Sequence, residues 1–347
     1  MSHLPGIAAK TVQTSRLRSN VLYRDDVPVG SVPLVFVHGN ASSSLFWEPL
    51  MLALPREINA VAVDLRGYGD SEVAPVDGTR GIRDFSDDLA EVLTELDLEP
   101  AHLVGWSMGA GVVMQYALDH PARTMTLISP ISPYGFGGTA ADGSLLNADA
   151  AGTGGGGVNP DFIERLRAGD RSSESPTSPR SVYATAYVKP GFVSEHEDLW
   201  VESMLTTAMG VDNYPGDSTT SEHWPGFAPG NRGVLNTMAP THFDLSGIVD
   251  LPTKPPVLWI RGVDDVIVSD TSYFDVNFLG QLGAIPGWPG ADVAPPQPMI
   301  GQTRAVLDAY AANGGSYREV ALENCGHSPH LEHPDVVRAE ILDHLSR

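Results

Sequence analysis

The stretch LVGWSMGAGVV, from Leu103 to Val113, places a serine between two glycines and could supply a catalytic nucleophile. An apolar run precedes Ser107, and small and apolar residues follow it, which predicts a strand, a sharp turn and a helix. Gly105 and Gly109 would let the strand and the helix approach where side chains would clash. The turn would present the serine hydroxyl beside a helix N-terminus, whose N–H groups and dipole favour a developing anion.

A serine hydroxyl becomes an effective nucleophile when a base removes its proton, and the base needs an acidic side chain to orient it. Where the serine lies between a strand and a helix, the chain order is serine, acid, histidine. The late apolar segment VLWIRGVDDVIV offers Asp264 and Asp265 as the acid. The loop ENCGHSPHLEHP, after the last strand-like segment, offers His327 as the base. The order is therefore as required, with two candidates for the acid.

Other reactive side chains have simpler interpretations. We expect His330 to be a packing or pocket-wall residue, and His333 to begin the last helix because a proline follows it. We interpret His38 as structural and Arg66 as a residue that ties loops together. Cys325 is expected to be a small buried filler.

Composition excludes several classes of protein. The 347 residues are 42% hydrophobic and carry a formal net charge of −22, which disfavours binding to nucleic acid or to an anionic membrane. The single cysteine excludes an intrachain disulfide and a cysteine-based metal site. The first twenty residues lack the apolar core of a signal peptide, and no run of 18 apolar residues occurs. We therefore expect a cytoplasmic protein.

The elements that must position these side chains alternate between strands and helices. Continuous apolar runs alternating with helical periods predict an α/β fold, with a mostly parallel sheet flanked by helices. We expect serines in Asn40–Pro55 to cap a helix. The predicted strands lie within the segments Val32–Gly39, Ile58–Gly67, Ala101–Ser107, Arg123–Ile131, Pro255–Val268 and Ser316–His327.

Two segments interrupt this rhythm. Residues 133–250 are rich in Gly, Ser, Thr and Pro and read as an insertion, so the core is expected to comprise residues 1–132 and 251–347. A second insertion, 269–315, lies within the core and ends in a predicted helix. We expect the large apolar residues of the first insertion to form mostly its own small core: Tyr183, Tyr187, Phe192, Trp200, Met204, Met209, Trp224, Phe227 and Met238.

Five segments, in order, resemble the α/β-hydrolase superfamily over nearly the whole chain apart from the two insertions. VHGNASSSLFWEPL resembles its oxyanion turn, and GWSMGA resembles its nucleophile turn. DLRGYGDSE resembles the family's Asp-x-Arg-Gly-x-Gly-x-Ser segment. RGVDDVIV is similar to its acid loop, and GHSPHLEHP is similar to its histidine loop.

The resemblance implies roles for individual residues. Ser107 would be the nucleophile, His327 the general base and Asp265 the orienting acid, because the family's acid usually lies three residues after the glycine of RGVDDVIV. The backbone N–H groups of Asn40 and Met108 would form the oxyanion hole. The first insertion would form a cap over the active site.

The implied function is hydrolysis of a small carboxylic ester or lactone through an acyl-enzyme, with no cofactor or metal. The partner would be a small molecule that carries an apolar group; no oligomeric state follows from the sequence. The same triad also suits a carbon–carbon bond hydrolase or a cofactor-free perhydrolase or haloperoxidase. A catalytically silent binding protein is less favoured because all three triad residues are present.

One departure narrows the resemblance. The segment HGNASSSLFW also resembles the haloalkane dehalogenases, which use an aspartate nucleophile followed by tryptophan. Here Ser107 and Met108 occupy those positions. The substitution argues against an alkyl-enzyme ester, and equally against a standard epoxide hydrolase.

Overall fold

The computed structural model describes residues 3–346, so Met1, Ser2 and Arg347, which the predicted core includes, lie outside the described residues. An eight-stranded sheet forms the centre of the protein. Its strands are β1 (Ile7–Gln13), β2 (Arg18–Arg24), β3 (Val32–Val37), β4 (Ile58–Val63), β5 (His102–Trp106), β6 (Thr124–Ile128), β7 (Val257–Gly262) and β8 (Tyr317–Leu322). Their order across the sheet is β1-β2-β4-β3-β5-β6-β7-β8.

Neighbouring strands run parallel from β4 across the sheet to β8. Strands β1 and β2 add an antiparallel edge. The mostly parallel sheet is thus confirmed. The antiparallel pair was not predicted, because β1 is largely exposed and lacks the continuous apolar run of a buried strand.

The helices lie between and after the strands. The longer ones bury an apolar face against the sheet, and α3 contacts both α2 and β5. They are α1 (Glu48–Ala53), α2 (Arg83–Glu95), α3 (Met108–Asp119), α4 (Pro160–Ala168), α5 (Pro179–Val182), α6 (Glu197–Leu205), α7 (Val276–Gln281), α8 (Met299–Ala312), α9 (Pro329–Glu332) and α10 (Pro334–Leu345).

The expected serine caps are wrong. Ser43 precedes a 3-10 turn and its side chain makes no capping bond; its hydroxyl instead lies 2.6 Å from the hydroxyl of Ser203. The Ser44 N–H donates to the carboxylate of Asp64 at 2.8 Å. Ser43 and the backbone of Ser44 are therefore used in contacts with distant parts of the chain, which a local capping pattern does not reveal.

Both insertions contain short elements. Between β6 and β7 lie α4 to α6 and two small two-stranded pairs, Met209–Gly210 with Tyr214–Pro215 and Ser218–Thr220 with Phe227–Pro229. The second insertion contains α7 and α8, of which α8 is the predicted helix. The α7 helix was not predicted; its N-terminus is capped by Asp275, which accepts a bond from the Asn277 N–H.

No helix within residues 3–346 combines the length and the apolar character needed to cross a membrane.

Candidate active site

Ser107 lies in the turn that joins β5 to α3. Its backbone has φ 57° and ψ −121°, in the region that side chains other than glycine rarely adopt. Its N–H donates to the Ile128 carbonyl at 2.9 Å, and its carbonyl accepts from the Ala110 N–H at 3.0 Å. The strand on one side and the helix on the other therefore hold the strained turn in place.

The two glycines that flank Ser107 are required by close backbone contacts. A Cβ atom on Gly105 would lie 2.4 Å from the carbonyl oxygen of Gly109. A Cβ on Gly109 would lie 2.4 Å from the carbonyl oxygens of both Val37 and His38. These neighbours are backbone atoms that cannot rotate away. The close approach of the strand and the helix therefore allows only glycine at both positions, which explains the sequence pattern.

His327 and Asp265 are joined by a buried hydrogen bond. The Nδ1 atom of His327 lies 2.8 Å from Oδ2 of Asp265, and each side chain is only 2% exposed. The other carboxylate oxygen accepts from the backbone N–H groups of Ile267 and Val268 at 2.8 and 3.0 Å. Both carboxylate oxygens therefore have hydrogen-bond partners, so the carboxylate is fixed in place. The fixed carboxylate in turn orients the imidazole ring of His327.

Asp264, the other candidate acid, has a different environment. Its carboxylate is 40% exposed and pairs with Nζ of Lys189 at 2.9 Å. Lys189 also donates to the side-chain oxygen of Asn324 at 3.0 Å. The structure thus brings Asp265, and not its neighbour, to His327.

The histidine loop is also held from the side of β5. Nε1 of Trp106 donates to the carbonyl oxygen of His327 at 2.8 Å. A Cβ on Gly262, at the end of β7, would lie 2.0 Å from the carbonyl oxygen of Gly326, so this loop lies directly against the sheet. The residue before Ser107 therefore positions the backbone of the candidate base.

The loop that carries Asn40 is held by two tyrosine hydroxyls. Tyr68 donates to the side-chain oxygen of Asn40 at 2.7 Å. Tyr187 lies within 2.9 Å of the carbonyl oxygen of Asn40 and 3.2 Å of that of Ala41. Burial raises the pKa of Tyr187, so its hydroxyl stays protonated and acts as a donor. Sequence reasoning missed these contacts, because Tyr187 comes from the distant first insertion.

Ser107, Met108, Asn40 and His327 line one cavity of about 460 Å³. Its walls are mainly apolar and come from the core and from both insertions. Of the nine large apolar residues that the sequence analysis names in the first insertion, Tyr187 and Met238 reach it. The other apolar lining residues include Ile131, Phe136, Val158, Phe162, Val182, Leu235, Ile267, Val268, Val276 and Leu279.

Two charged or polar neighbours act as structural ties. His38 accepts from the Leu65 N–H at Nε2 (3.0 Å) and donates from Nδ1 to the Gly39 carbonyl (2.7 Å), and burial lowers its pKa. Arg66 donates two bonds to the carboxylate of Asp88, at 2.6 and 2.7 Å. These contacts agree with the structural roles expected from the sequence.

His330 is buried between Trp47 and Trp106, with ring centroids 4.4 and 4.8 Å away. Burial, with a smaller contribution from His327, lowers its pKa well below that of a free histidine. Cys325 is also buried, and burial raises the pKa of its thiol. Both residues pack in the core. His333 directly precedes α10, as predicted.

Within residues 3–346, no group of three or more His, Cys, Asp or Glu side chains is arranged to hold a metal ion.

The fold and this site define a class of protein. The model of the alpha/beta hydrolase family matches residues 34–340. The chain therefore belongs to the alpha/beta hydrolase family.

Curated relatives match over part of the chain. The 2-(acetamidomethylene)succinate hydrolase of Mesorhizobium japonicum is 32% identical over 127 residues, 36% of this chain and 44% of that protein. The pimeloyl-[acyl-carrier protein] methyl ester esterase of Aeromonas hydrophila is 36% identical over 100 residues, 28% of this chain and 37% of that protein. The chain thus matches less than half of the length of either relative.

Solved structures resemble the whole chain at lower identity. An esterase from Exiguobacterium antarcticum has a TM-score of 0.60 at 16% identity, with 98% of this chain and 100% of that chain covered. Carboxylesterase CesB from Bacillus subtilis has a TM-score of 0.58 at 16% identity, with 98% and 91% covered. This likeness concerns the fold.

Proposed function

We propose that this protein is a serine hydrolase that cleaves a small carboxylic ester or lactone with an apolar group, through an acyl-enzyme. One observation carries the proposal. Ser107 and His327 line the same apolar cavity, and His327 is hydrogen-bonded to the buried carboxylate of Asp265. The esterase and hydrolase relatives support the same reaction class.

Acylation begins at the hydroxyl of Ser107. With Nδ1–H of His327 donated to Asp265, Nε2 is the atom free to accept the serine proton as Oγ attacks the substrate carbonyl. The oxyanion that forms is stabilised by the backbone N–H groups of Met108 and Asn40. His327 then gives its proton to the leaving alkoxide, and an alcohol departs while the acyl group stays on Ser107.

Deacylation repeats these steps with water. His327 removes a proton from a water molecule as the water oxygen attacks the acyl carbonyl. The same N–H groups stabilise the second oxyanion, whose collapse breaks the bond to Ser107. The carboxylic acid leaves, and the proton on His327 returns to Oγ.

Residues 133–250 are proposed as the cap over a core of residues 1–132 and 251–347. Phe136, Phe162 and Leu235 of this segment line the same cavity as Ser107 and His327. An apolar cover excludes water, which strengthens the electrostatic interactions that stabilise the oxyanion.

The cavity favours an uncharged group on the substrate. Asp275 is the one aspartate or glutamate among its lining residues, and it is 2% exposed. Its oxygens accept from the N–H groups of Asn277 and Gln297, at 3.0 and 2.8 Å. Asp275 is therefore used in holding the second insertion, and the remaining surface offers mostly apolar contacts.

The test is hydrolysis of p-nitrophenyl esters from acetate to dodecanoate, with the Ser107→Ala and His327→Ala variants as controls. We expect each variant to lose about 10³-fold or more in kcat while its thermal unfolding stays cooperative. Mass spectrometry after a rapid quench should find the acyl group on Ser107. Ester hydrolysis that persists in the Ser107→Ala protein would refute the proposal, as would the absence of hydrolysis for every ester.

A further inference from the structure

A second apolar space adjoins the catalytic cavity. It is a groove of about 410 Å³, here called the outer groove, lined by Pro176, Val182, Thr185, Ala186 and Pro190 of the first insertion together with Val266, Tyr273 and Phe274. Among these lining residues there is no lysine, arginine, histidine or carboxylate.

The outer groove and the catalytic cavity share part of their walls. Val182, Tyr273 and Phe274 line both spaces. Tyr273 is 54% exposed and Phe274 is 44% exposed, so these rings lie at the surface where the two spaces meet. The ring of Tyr273 also packs edge-on against Phe278, with centroids 5.5 Å apart. An alkyl chain of a bound molecule that extends out of the cavity at this boundary would lie against an apolar surface.

We infer that the outer groove is a second binding site for the distal, apolar part of the substrate, so that the protein accepts an unbranched alkyl chain too long for the catalytic cavity. This inference rests on the proposed function, and it adds the substrate class. Its physical basis is that each methylene removed from water adds binding free energy. An exposed apolar surface that continues a cavity is also a feature of ligand-binding grooves.

Both insertions contribute to this site, and the second connects it to the catalytic cavity. Its residues Tyr273 and Phe274 form the boundary, while Val276 and Leu279 line the inner cavity. The first insertion supplies the opposite wall, where Thr185 is an exposed residue with a small side chain. Neither insertion alone would form the groove.

The experiment compares kcat/KM for p-nitrophenyl dodecanoate and p-nitrophenyl butanoate. We expect Phe274→Glu and Thr185→Trp each to lower the ratio of the two values by about tenfold, the first by placing a charge at the boundary and the second by filling the groove. Val293→Glu is the matched control, because Val293 is 53% exposed in the same insertion and lines neither space. It should keep the wild-type ratio.

A ratio that stays at the wild-type value in both groove variants would overturn the inference while leaving the esterase proposal intact. If the wild-type protein hydrolyses no ester, the proposed function fails, and the groove is tested by calorimetric binding of decan-1-ol and hexan-1-ol to the Ser107→Ala protein. The groove is supported when Phe274→Glu weakens binding of decan-1-ol more than binding of hexan-1-ol. The inference about the groove is refuted when Phe274→Glu changes the binding of both alcohols by the same factor.

Discussion

Nε1 of Trp106 donates a 2.8 Å hydrogen bond to the carbonyl oxygen of His327, across 221 positions of the chain. This bond ties the strand that ends at the candidate nucleophile to the loop that carries the candidate base. Attack by a serine hydroxyl on a carbonyl requires that the serine and its base are held in a productive geometry. Trp106 is therefore a positioning residue in our proposal.

Replacement of Trp106 tests this relationship. Trp106→Phe removes the donor and retains an aromatic ring, so we expect kcat for a short ester to fall about tenfold because the His327 loop is less constrained. The KM should change little. The matched control is Trp47→Phe: this tryptophan is also fully buried and also packs on His330, yet it makes no bond to His327. A similar loss of kcat in both variants would assign the effect to packing alone.

The acid is tested by a pair of neighbouring substitutions. Asp265→Asn should lower kcat by about 10³–10⁴-fold, because the amide presents the wrong partner to Nδ1–H of His327. Asp264→Asn should stay within about twofold, since its carboxylate is 40% exposed and its ion pair with Lys189 is of the weak surface kind. The reverse ranking in steady-state kinetics would show that the acid is misassigned.

Tyr187 holds the loop whose N–H group belongs to the proposed oxyanion hole. Tyr187→Phe removes the hydroxyl that bonds to the carbonyls of Asn40 and Ala41, so we expect kcat to fall about tenfold as that N–H group loses its fixed position. Tyr183→Phe is the control: its hydroxyl is buried and has no hydrogen-bond partner within residues 3–346.

The Tyr183→Phe variant should keep its activity and be as stable as the wild type or more so, because it removes an unpaired polar atom. Thermal unfolding of both variants separates an effect on the loop from an effect on the whole fold. Equal kcat values for the two variants would remove Tyr187 from the positioning network.

His330 makes stability depend on pH in a defined direction. Burial lowers its pKa in the folded protein, so between that value and about 6.5 the unfolded chain binds more protons than the folded one. The contribution of the neutral His330 ring to the free energy of unfolding is thus fully present above pH 6.5. It is lost as the pH falls below 6.5. We expect His330→Phe to lose roughly 1 kcal/mol less free energy of unfolding than the wild type between pH 7.5 and pH 5.5.

Urea unfolding at the two pH values measures this difference. His330→Gln serves as the comparison, because it also lacks a titrating ring but leaves a polar group buried between Trp47 and Trp106. It should share the weaker pH dependence and be less stable than His330→Phe at pH 7.5. An unchanged acid dependence in both variants would contradict the role given to burial.

Much of the fold could be predicted from local pattern. Strands β3 to β7 carry apolar runs because both faces of a parallel sheet are covered there. The last strand, β8, lies at the edge of the sheet and is only half-buried. The edge strand β1 escaped prediction because it is largely exposed and needs no such run. Strand β2 is mostly buried, but its sequence RSNVLYR mixes polar with apolar residues and so shows no continuous run. The helix α7 escaped it because six residues are too few to show a helical period.

The residues around Ser107 predict the turn directly, because a Cβ atom on Gly105 or Gly109 would lie 2.4 Å from a backbone carbonyl oxygen. The order of serine, acid and histidine is likewise present in the chain itself. The tertiary structure sets the contact by which Asp265, the acid that the resemblance implies, meets His327. It also sets which tyrosines hold the loop at Asn40 and how the two insertions line one groove. The difference arises because a close backbone contact constrains the residue type at one position. A hydrogen bond or a cavity wall depends on where two distant segments meet, and no short pattern records that.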